Sequence, residues 1–353
     1  MTVVIGRAEG EREKPAAHLG SYRALDGSQG TDIALDVDSP HAVLVVGKRG
    51  YGKSYTLGVL CEELARSRGV APVVIDPMGA FSTLAEPTRR DRAEPVPARV
   101  FENPKVEPSA LDPRSWCSML GLSPESGTGA LVWGAAADTE TLRGMCDHIT
   151  AADAPASDRR AARNHVDLAR SWGVFDPDGI DGSTLLGNEV TVLDVSGLDP
   201  APMNAVGRAV AERLYRIRVS GESDRLPWLL VDEAHVFFDD VAGPALRTVL
   251  TRGRAPGVSL AVSTQRPSSL PAVAISQADV LVAHRLTAQA DLDALERARP
   301  TYMTETIEER LPGEPGDVLV VDDRGERVHA ARIRRRDTPH GGATPRASDL
   351  QSE

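Results

Sequence analysis

From residue 42 onward the chain is punctuated by short, near-continuous apolar runs: Val43 to Val46, Pro72 to Ile75, Val190 to Val195, Trp228 to Val231, Ser259 to Ser263 and Val280 to Ala283. Runs of this length without polar alternation suit parallel strands, because helices bury both faces of each strand. Helical stretches lie between them. The first, Tyr55 to Ala65, spaces its apolar residues as an amphipathic helix does. The pattern predicts an α/β fold over about 41–300 with a doubly wound, mainly parallel sheet.

The flanks read differently. Residues 1 to about 40 are polar with two β-like pieces, Val3-Val4-Ile5-Gly6 and Asp32 to Val37, which predict a short leading hairpin or abbreviated barrel fragment. Between about 104 and 187, Pro, Ser and Gly interrupt helical pieces (Ala130 to Ala137, Thr139 to Thr150, Asp158 to Ser171), which predict a helical insertion carried on the sheet. After residue 300 come two further β pieces, Asp317 to Asp322 and Arg327 to Ile333. The end, Arg334 to Glu353, is polar and rich in turn formers, as in a loose or docking tail.

Chemistry enters at Gly47-Lys48-Arg49-Gly50-Tyr51-Gly52-Lys53-Ser54, which has the form GxxxxGK[ST] and directly follows the apolar run Ala42 to Val46. A strand that delivers a Gly-rich turn to a helix N-terminus makes a phosphate cradle: backbone N–H groups hold phosphates, Lys53 reaches the β/γ oxygens and Ser54 ligates magnesium. Gly47 to Ser54, with Tyr55 opening the helix, are therefore the candidate ATP-binding residues, and Ser54 a candidate Mg2+ ligand. A second apolar strand ends in Asp232-Glu233. Asp232 would hold the metal shell and Glu233 would polarise the attacking water as general base. For the pair in isolation, a solvated turn is the rival reading. A third strand ends in Thr264-Gln265, whose amide could orient that water. Just before it, Arg252-Gly253-Arg254 offers either an arginine finger for a neighbour's nucleotide or ordinary surface arginines.

Composition adds a qualification. The formal net charge is -11, and only four of the 40 Lys and Arg residues are lysine. Acidic surfaces with Arg in place of Lys fit a protein from a halophilic source kept soluble in concentrated salt, although acidity could instead repel nucleic acid. Cys61, Cys117 and Cys146 have no metal-ligand or CxxC spacing and read as buried thiols. There is no run of eighteen apolar residues and the start is polar, so a cytoplasmic protein without a membrane partner is expected.

Several segments together resemble one family. They are Val46 to Ser54, Ile75-Asp76-Pro77-Met78-Gly79, Val192 to Leu198, Val231-Asp232-Glu233-Ala234-His235, Ser263-Thr264-Gln265-Arg266-Pro267-Ser268, Ala283-His284-Arg285-Leu286 and the tail Arg332 to Gly342. They resemble the HerA branch of the HerA/FtsK superfamily of DNA-pumping ATPases. The resemblance implies a RecA-like P-loop NTPase core, a homo-hexameric ring and ATP-driven movement of double-stranded DNA. Archaeal members work with a NurA nuclease in DNA end resection. It also implies phosphate and magnesium binding by Lys53 and Ser54, metal support by Asp232, a base at Glu233 and a sensor at Gln265. Arg252 or Arg254 would be a finger acting across a subunit boundary, with Arg285 an alternative from the same chain.

This chain departs from the family in three places. Met78 and Ala80 stand where the family has His and Glu, Tyr51 is bulky for its loop, and the leading segment is short for the family's N-terminal barrel. For DNA contact, Arg159-Arg160-Ala161-Ala162-Arg163 is a candidate, with a solvated helix face as its rival. A viral or plasmid motor for packaging or conjugation would use the same site. A nucleotide-switched scaffold that does not move DNA is the reading from another class.

Overall fold

In the computed structural model, which describes residues 2–7, 14–23, 28–88 and 95–341, every one of the six apolar runs is a strand of one sheet. The strands are β1 (Thr2–Ile5), β2 (Ala16–Arg23), β3 (Gln29–Asp36), β4 (Ala42–Val46), β5 (Val70–Asp76), β6 (Ala98–Glu102), β7 (Val190–Asp194), β8 (Leu226–Val231), β9 (Ser259–Thr264), β10 (Val280–Ala283), β11 (Asp317–Asp322) and β12 (Arg327–Ile333). Among the described residues they lie in the order β1-β3-β2-β12-β11-β10-β4-β9-β8-β5-β7-β6. From β10 to β6 every pairing is parallel. From β10 outward through β11, β12, β2 and β3 each pairing is antiparallel. The fold is the mainly parallel α/β sheet that the apolar runs predict, with an antiparallel extension on one side.

Alternating residues of the parallel strands feed two cores. The helices are α1 (Lys53–Arg66), α2 (Pro113–Met119), α3 (Gly127–Asp138), α4 (Leu142–Ala151), α5 (Ala156–Ser171), α6 (Gly182–Leu185), α7 (Pro200–Ser220), α8 (His235–Phe238) and α9 (Gly243–Arg252), with shorter turns beyond. Val43, Val45, Val74, Trp228 and Leu230 share one core with Leu57, Leu60 and Leu64 of α1. Leu44, Val46, Val73, Ile75, Leu229 and Val231 share the other with α7 and α9. Burying a Leu or Val side chain in this way contributes roughly 1.5–3 kcal/mol, so the central strands are rigid platforms for whatever their ends carry.

Helices α2 to α6 occupy the stretch read as an insertion. The starts of α2, α3, α4 and α6 are set by side chains that accept an orphan N–H: Asp112 from Ser115 at 2.7 Å, Ser126 from Gly129 at 2.9 Å, Thr141 from Gly144 at 2.9 Å and Asp181 from Thr184 at 2.8 Å.

Two expectations are corrected at the N-terminus. β1 and β3 pair parallel, so they are not the two arms of a hairpin. Nor do they stand apart as a barrel fragment, because β2 pairs with β12 and extends the central sheet. β2 and β6 were absent from the strands read off the sequence; β6 is an edge strand whose residues are mostly half-exposed. The tail divides likewise. Residues 334–341 are docked on α1, with Arg336, Asp337 and Thr338 buried, while 342–353 lie outside the described residues. All three cysteines are buried and free. Among the described residues no helix is long and apolar enough to cross a membrane.

Candidate functional site

β4 ends at Val46 and the chain turns directly into Gly47 to Gly52 before α1 begins at Lys53. The turn is held against the neighbouring strand: Lys48 N–H donates to the Arg285 carbonyl at 2.8 Å, and a Cβ on Gly47 would lie 2.5 Å from the His284 Cβ. Only glycine allows that approach. Gly52 takes φ 111, a conformation L side chains avoid, and so aims the first N–H groups of α1 into the loop. Behind it His284 is buried, its Nε2 2.9 Å from Thr56 Oγ1. Burial, helped by the Lys53 charge, pushes the His284 pKa down to about 3, so the ring stays neutral beside the cationic loop.

The loop opens on a cleft of about 590 Å³ lined by Arg49 to Thr56, Met78, Ala80, Glu233, His284 and the segments around Gly316 and His340. Lys48 points elsewhere, its ammonium 4.5 Å from the Tyr51 ring centre.

β8 ends beside β5, and its last turn places Asp232 and Glu233 across from α1. Ser54 Oγ donates to Asp232 Oδ2 at 2.7 Å, while Asp232 Oδ1 accepts from Ser263 Oγ and, at 3.0 Å, from Glu233 N–H. Asp232 is thus fixed between the phosphate loop and β9. Glu233 adopts φ 45, a left-handed conformation rare for a non-glycine residue, which turns its side chain toward the loop. Its Oε1 is 4.0 Å from Lys53 Nζ and its Oε2 is 3.4 Å from His235 Nδ1. Burial raises the Glu233 pKa, with Lys53 opposing and Asp232 reinforcing the shift. Burial likewise lowers that of Lys53. A carboxyl with raised proton affinity next to a phosphate cradle is what a general base requires.

Gln265 enters through its backbone N–H, which faces the Glu233 carboxylate, and its side chain is half-buried. Arg252 and Arg254 are not brought to this cleft. Arg252 ends α9 and Arg254 lies in the turn before β9, at the sheet edge opposite the phosphate loop, where Arg254 pairs with Asp279 at 2.8 Å, just ahead of β10. Arg285 follows β10 beside the loop and reaches it with its carbonyl, its side chain being exposed. On α5, Arg159 donates to the carbonyls of Ala152 and Ala154, and Arg163 to Thr150 Oγ1 at 3.3 Å, so both tie α5 to its neighbour; Arg160 is exposed.

Sequence reasoning named neither Asp76 nor Ser263 as site residues. Asp76 is fully buried at the end of β5, accepts N–H groups from Met78 and Phe81 at 3.1 and 2.8 Å, and is pushed up to about pKa 6 by burial. Its place at the carboxyl end of a strand adjacent to β8 was the available signal.

The donor set fits a magnesium nucleotide. A hydroxyl and a carboxylate, Ser54 and Asp232, are hard oxygen ligands of the kind magnesium takes beside phosphate. Among the described residues no group of three or more His, Cys, Asp or Glu side chains could hold a metal, so phosphate oxygens would complete its shell. Glu233 Oε2 is buried without a hydrogen-bond partner, 3.4 Å from His235 Nδ1.

Residues 17–133 match the family model of the HerA helicase central domain. The match covers about a third of the chain. The matched stretch holds the phosphate loop and ends before Asp232. No curated protein matches the chain. Among solved structures, VirB4 of Thermoanaerobacter pseudethanolicus is 17% identical with a TM-score of 0.66, over 97% of this chain and 99% of that one. The plasmid coupling protein TrwB in complex with ADP and Mg2+ is 16% identical with a TM-score of 0.56, over 95% and 98%. TrwB with a non-hydrolysable GTP analogue gives 16% and 0.54, over 86% and 87%. At these identities the likeness is one of fold, shared along nearly the whole chain.

Proposed function

We propose that this chain is the subunit of an oligomeric, ring-forming motor that hydrolyses ATP to move double-stranded DNA. The observation that carries the reading is the convergence of Lys53, Ser54, Asp232 and Glu233 on one cleft. In that cleft the loop N–H groups and Lys53 bind and orient the phosphates, and Ser54 and Asp232 would hold magnesium. When bound, the metal supplies charge neutralisation at the phosphates. An arriving γ-phosphate draws Lys53 away from Glu233, and the carboxylate then takes the proton of the attacking water. The Gln265 N–H holds that carboxylate in place, with the His235 ring beside it.

Movement of DNA rests on the match to a helicase central domain. The fold likeness to a plasmid coupling protein and to VirB4 favours a second reading, in which the same motor serves plasmid transfer or packaging. For an arginine finger, the far-edge position of Arg252 and Arg254 supports action on a neighbour's site rather than their own. The test is steady-state ATP hydrolysis in high-salt buffer with and without linear duplex DNA, with Glu233→Gln as the blank. Stimulation by DNA is expected. Parent-level hydrolysis indifferent to DNA would replace the motor with a nucleotide-switched scaffold.

A further inference from the structure

The segment of residues 334–341 crosses α1 and reaches the nucleotide cleft, which a loose segment would not do. Its anchor is Glu62, a fully buried carboxylate on α1. Glu62 accepts from Asp337 N–H at 3.0 Å, from Thr338 N–H at 2.8 Å and from Thr338 Oγ1 at 2.7 Å, and pairs with Arg334 at 2.9 Å. Arg336 N–H donates to the Tyr55 hydroxyl at 2.7 Å, and Thr83 Oγ1 donates to the Pro339 carbonyl at 2.8 Å. Between these ties His340 stands against Tyr55, ring centres 5.3 Å apart and planes at 73°.

The phosphate loop fixes which part of a nucleotide meets this corner. Lys53 and Glu233 mark the terminal-phosphate end, and the α-phosphate lies by the residues that open the helix. Sugar and base therefore leave on the Tyr55 side, where the lining is Tyr55, Pro315, Gly316, Ile333, His340 and Gly341. The two rings stand edge to face at 73° beside Pro315 and Ile333, a shape in which a flat heterocycle stacks on one ring and meets the edge of the other.

We propose that residues 334–341 are the base wall of the nucleotide site, with His340 and Tyr55 as the platform on which the nucleobase packs. The proposal rests on the nucleotide-site reading above and adds to it the part that recognises the base. Glu62 is a positioning residue in it, since it holds the wall without touching the ligand. Burial and the nearby Arg336 guanidinium lower the His340 pKa, so the ring stacks as neutral imidazole at pH 7.

The test compares equilibrium binding of ATP, ADP and inorganic tripolyphosphate, all with magnesium, to the parent, His340→Ala, His340→Phe and Lys53→Ala proteins. His340→Ala is expected to raise the Kd of ATP and ADP by about tenfold, the scale of one aromatic stack. Tripolyphosphate should bind as to the parent, and His340→Phe should restore most of the nucleotide affinity. Unchanged ATP and ADP affinity in His340→Ala would overturn the proposal, as would an equal loss for tripolyphosphate. Absence of any Lys53-dependent binding of tripolyphosphate would overturn the phosphate site itself, and the base wall with it. Melting curves of both His340 variants keep a folding defect apart from a binding one.

Discussion

Lys53 Nζ and Glu233 Oε1 stand 4.0 Å apart at the mouth of the phosphate loop, each largely removed from water. The two charges answer each other until a phosphate arrives, and their separate removal should have opposite signatures. Lys53→Ala is expected to abolish measurable ATP binding. Glu233→Gln should keep ATP bound and lower turnover by about 10²–10⁴-fold, the usual contribution of a positioned base. Equilibrium binding with single-turnover hydrolysis checks both, and equal turnover in Glu233→Gln and the parent would remove Glu233 from the chemistry.

The pH profile of that turnover follows from the same burial. A base works only when ionised, so the rate should rise with pH and level off above the Glu233 pKa. Because burial raises that pKa, the inflection in kcat/KM should lie above the ordinary glutamate value of about 4.3. Losing the Lys53 charge removes the opposing effect and should move the Glu233 pKa higher, which NMR titration of the Glu233 carboxyl in nucleotide-free Lys53→Met would show. An inflection at the ordinary value would contradict a desolvated base.

Asp76 gives a stability prediction with a defined window. Its pKa is raised from about 3.8 to about 6 in the folded chain, so the folded state holds the proton more tightly than the unfolded state does. The stabilising contribution is fully present below the unfolded value and is lost as pH rises through about 6, an effect on the order of 2–3 kcal/mol. Asp76→Asn, which cannot ionise, should therefore gain stability relative to the parent as pH rises from about 4 to 7. Urea unfolding of both proteins across that range measures the difference. A pH-independent gap would mean that Asp76 ionises in the folded chain as it does in the unfolded one.

What could be read from the residues and what could not divides along physical lines. The parallel strands were legible because burial on both faces leaves unbroken apolar runs such as Val43 to Val46. β6 was not, since Ala98-Arg99-Val100-Phe101-Glu102 is an edge strand whose mixed composition has no such signature. The core of the site was legible because Lys53, Ser54, Asp232 and Glu233 each follow an apolar strand at its carboxyl end. By the same logic the position of Arg252 and Arg254 ahead of β9 already placed them at the opposite edge. The docked segment was invisible for another reason. Arg336 and Asp337 are buried, and Arg334 half-buried, by pairing and hydrogen bonding with groups on α1 rather than by apolar contact, and hydrophobic periodicity does not register charge pairs.

That pairing is itself testable. Glu62→Ala leaves Arg334 and Arg336 without their buried partner, a change that typically costs about 3–5 kcal/mol. A large drop in the urea midpoint is expected, with a smaller drop for Glu62→Gln, which keeps an acceptor for the N–H groups of Asp337 and Thr338. Parent-like midpoints in Glu62→Ala would show that the segment is held by other contacts.

The last prediction concerns Arg254, whose guanidinium is mostly exposed and tied to Asp279 at the sheet edge remote from its own phosphate loop. From there it can serve catalysis only at a neighbouring subunit's nucleotide. Arg254→Ala and Glu233→Gln should each be inactive alone. Mixed in one ring, some interfaces pair an intact Glu233 with an intact Arg254 from the neighbour, so hydrolysis should return at intermediate mixing ratios. Arg285→Ala serves as the contrast: that side chain lies beside its own loop, and if it acts there, every subunit in the mixture still lacks one member of its own set and no activity returns. Native mass spectrometry establishes that mixed rings form. With mixed rings present, no rescue by Arg254→Ala at any ratio would exclude it as the finger and leave Arg252 to be tried in the same way.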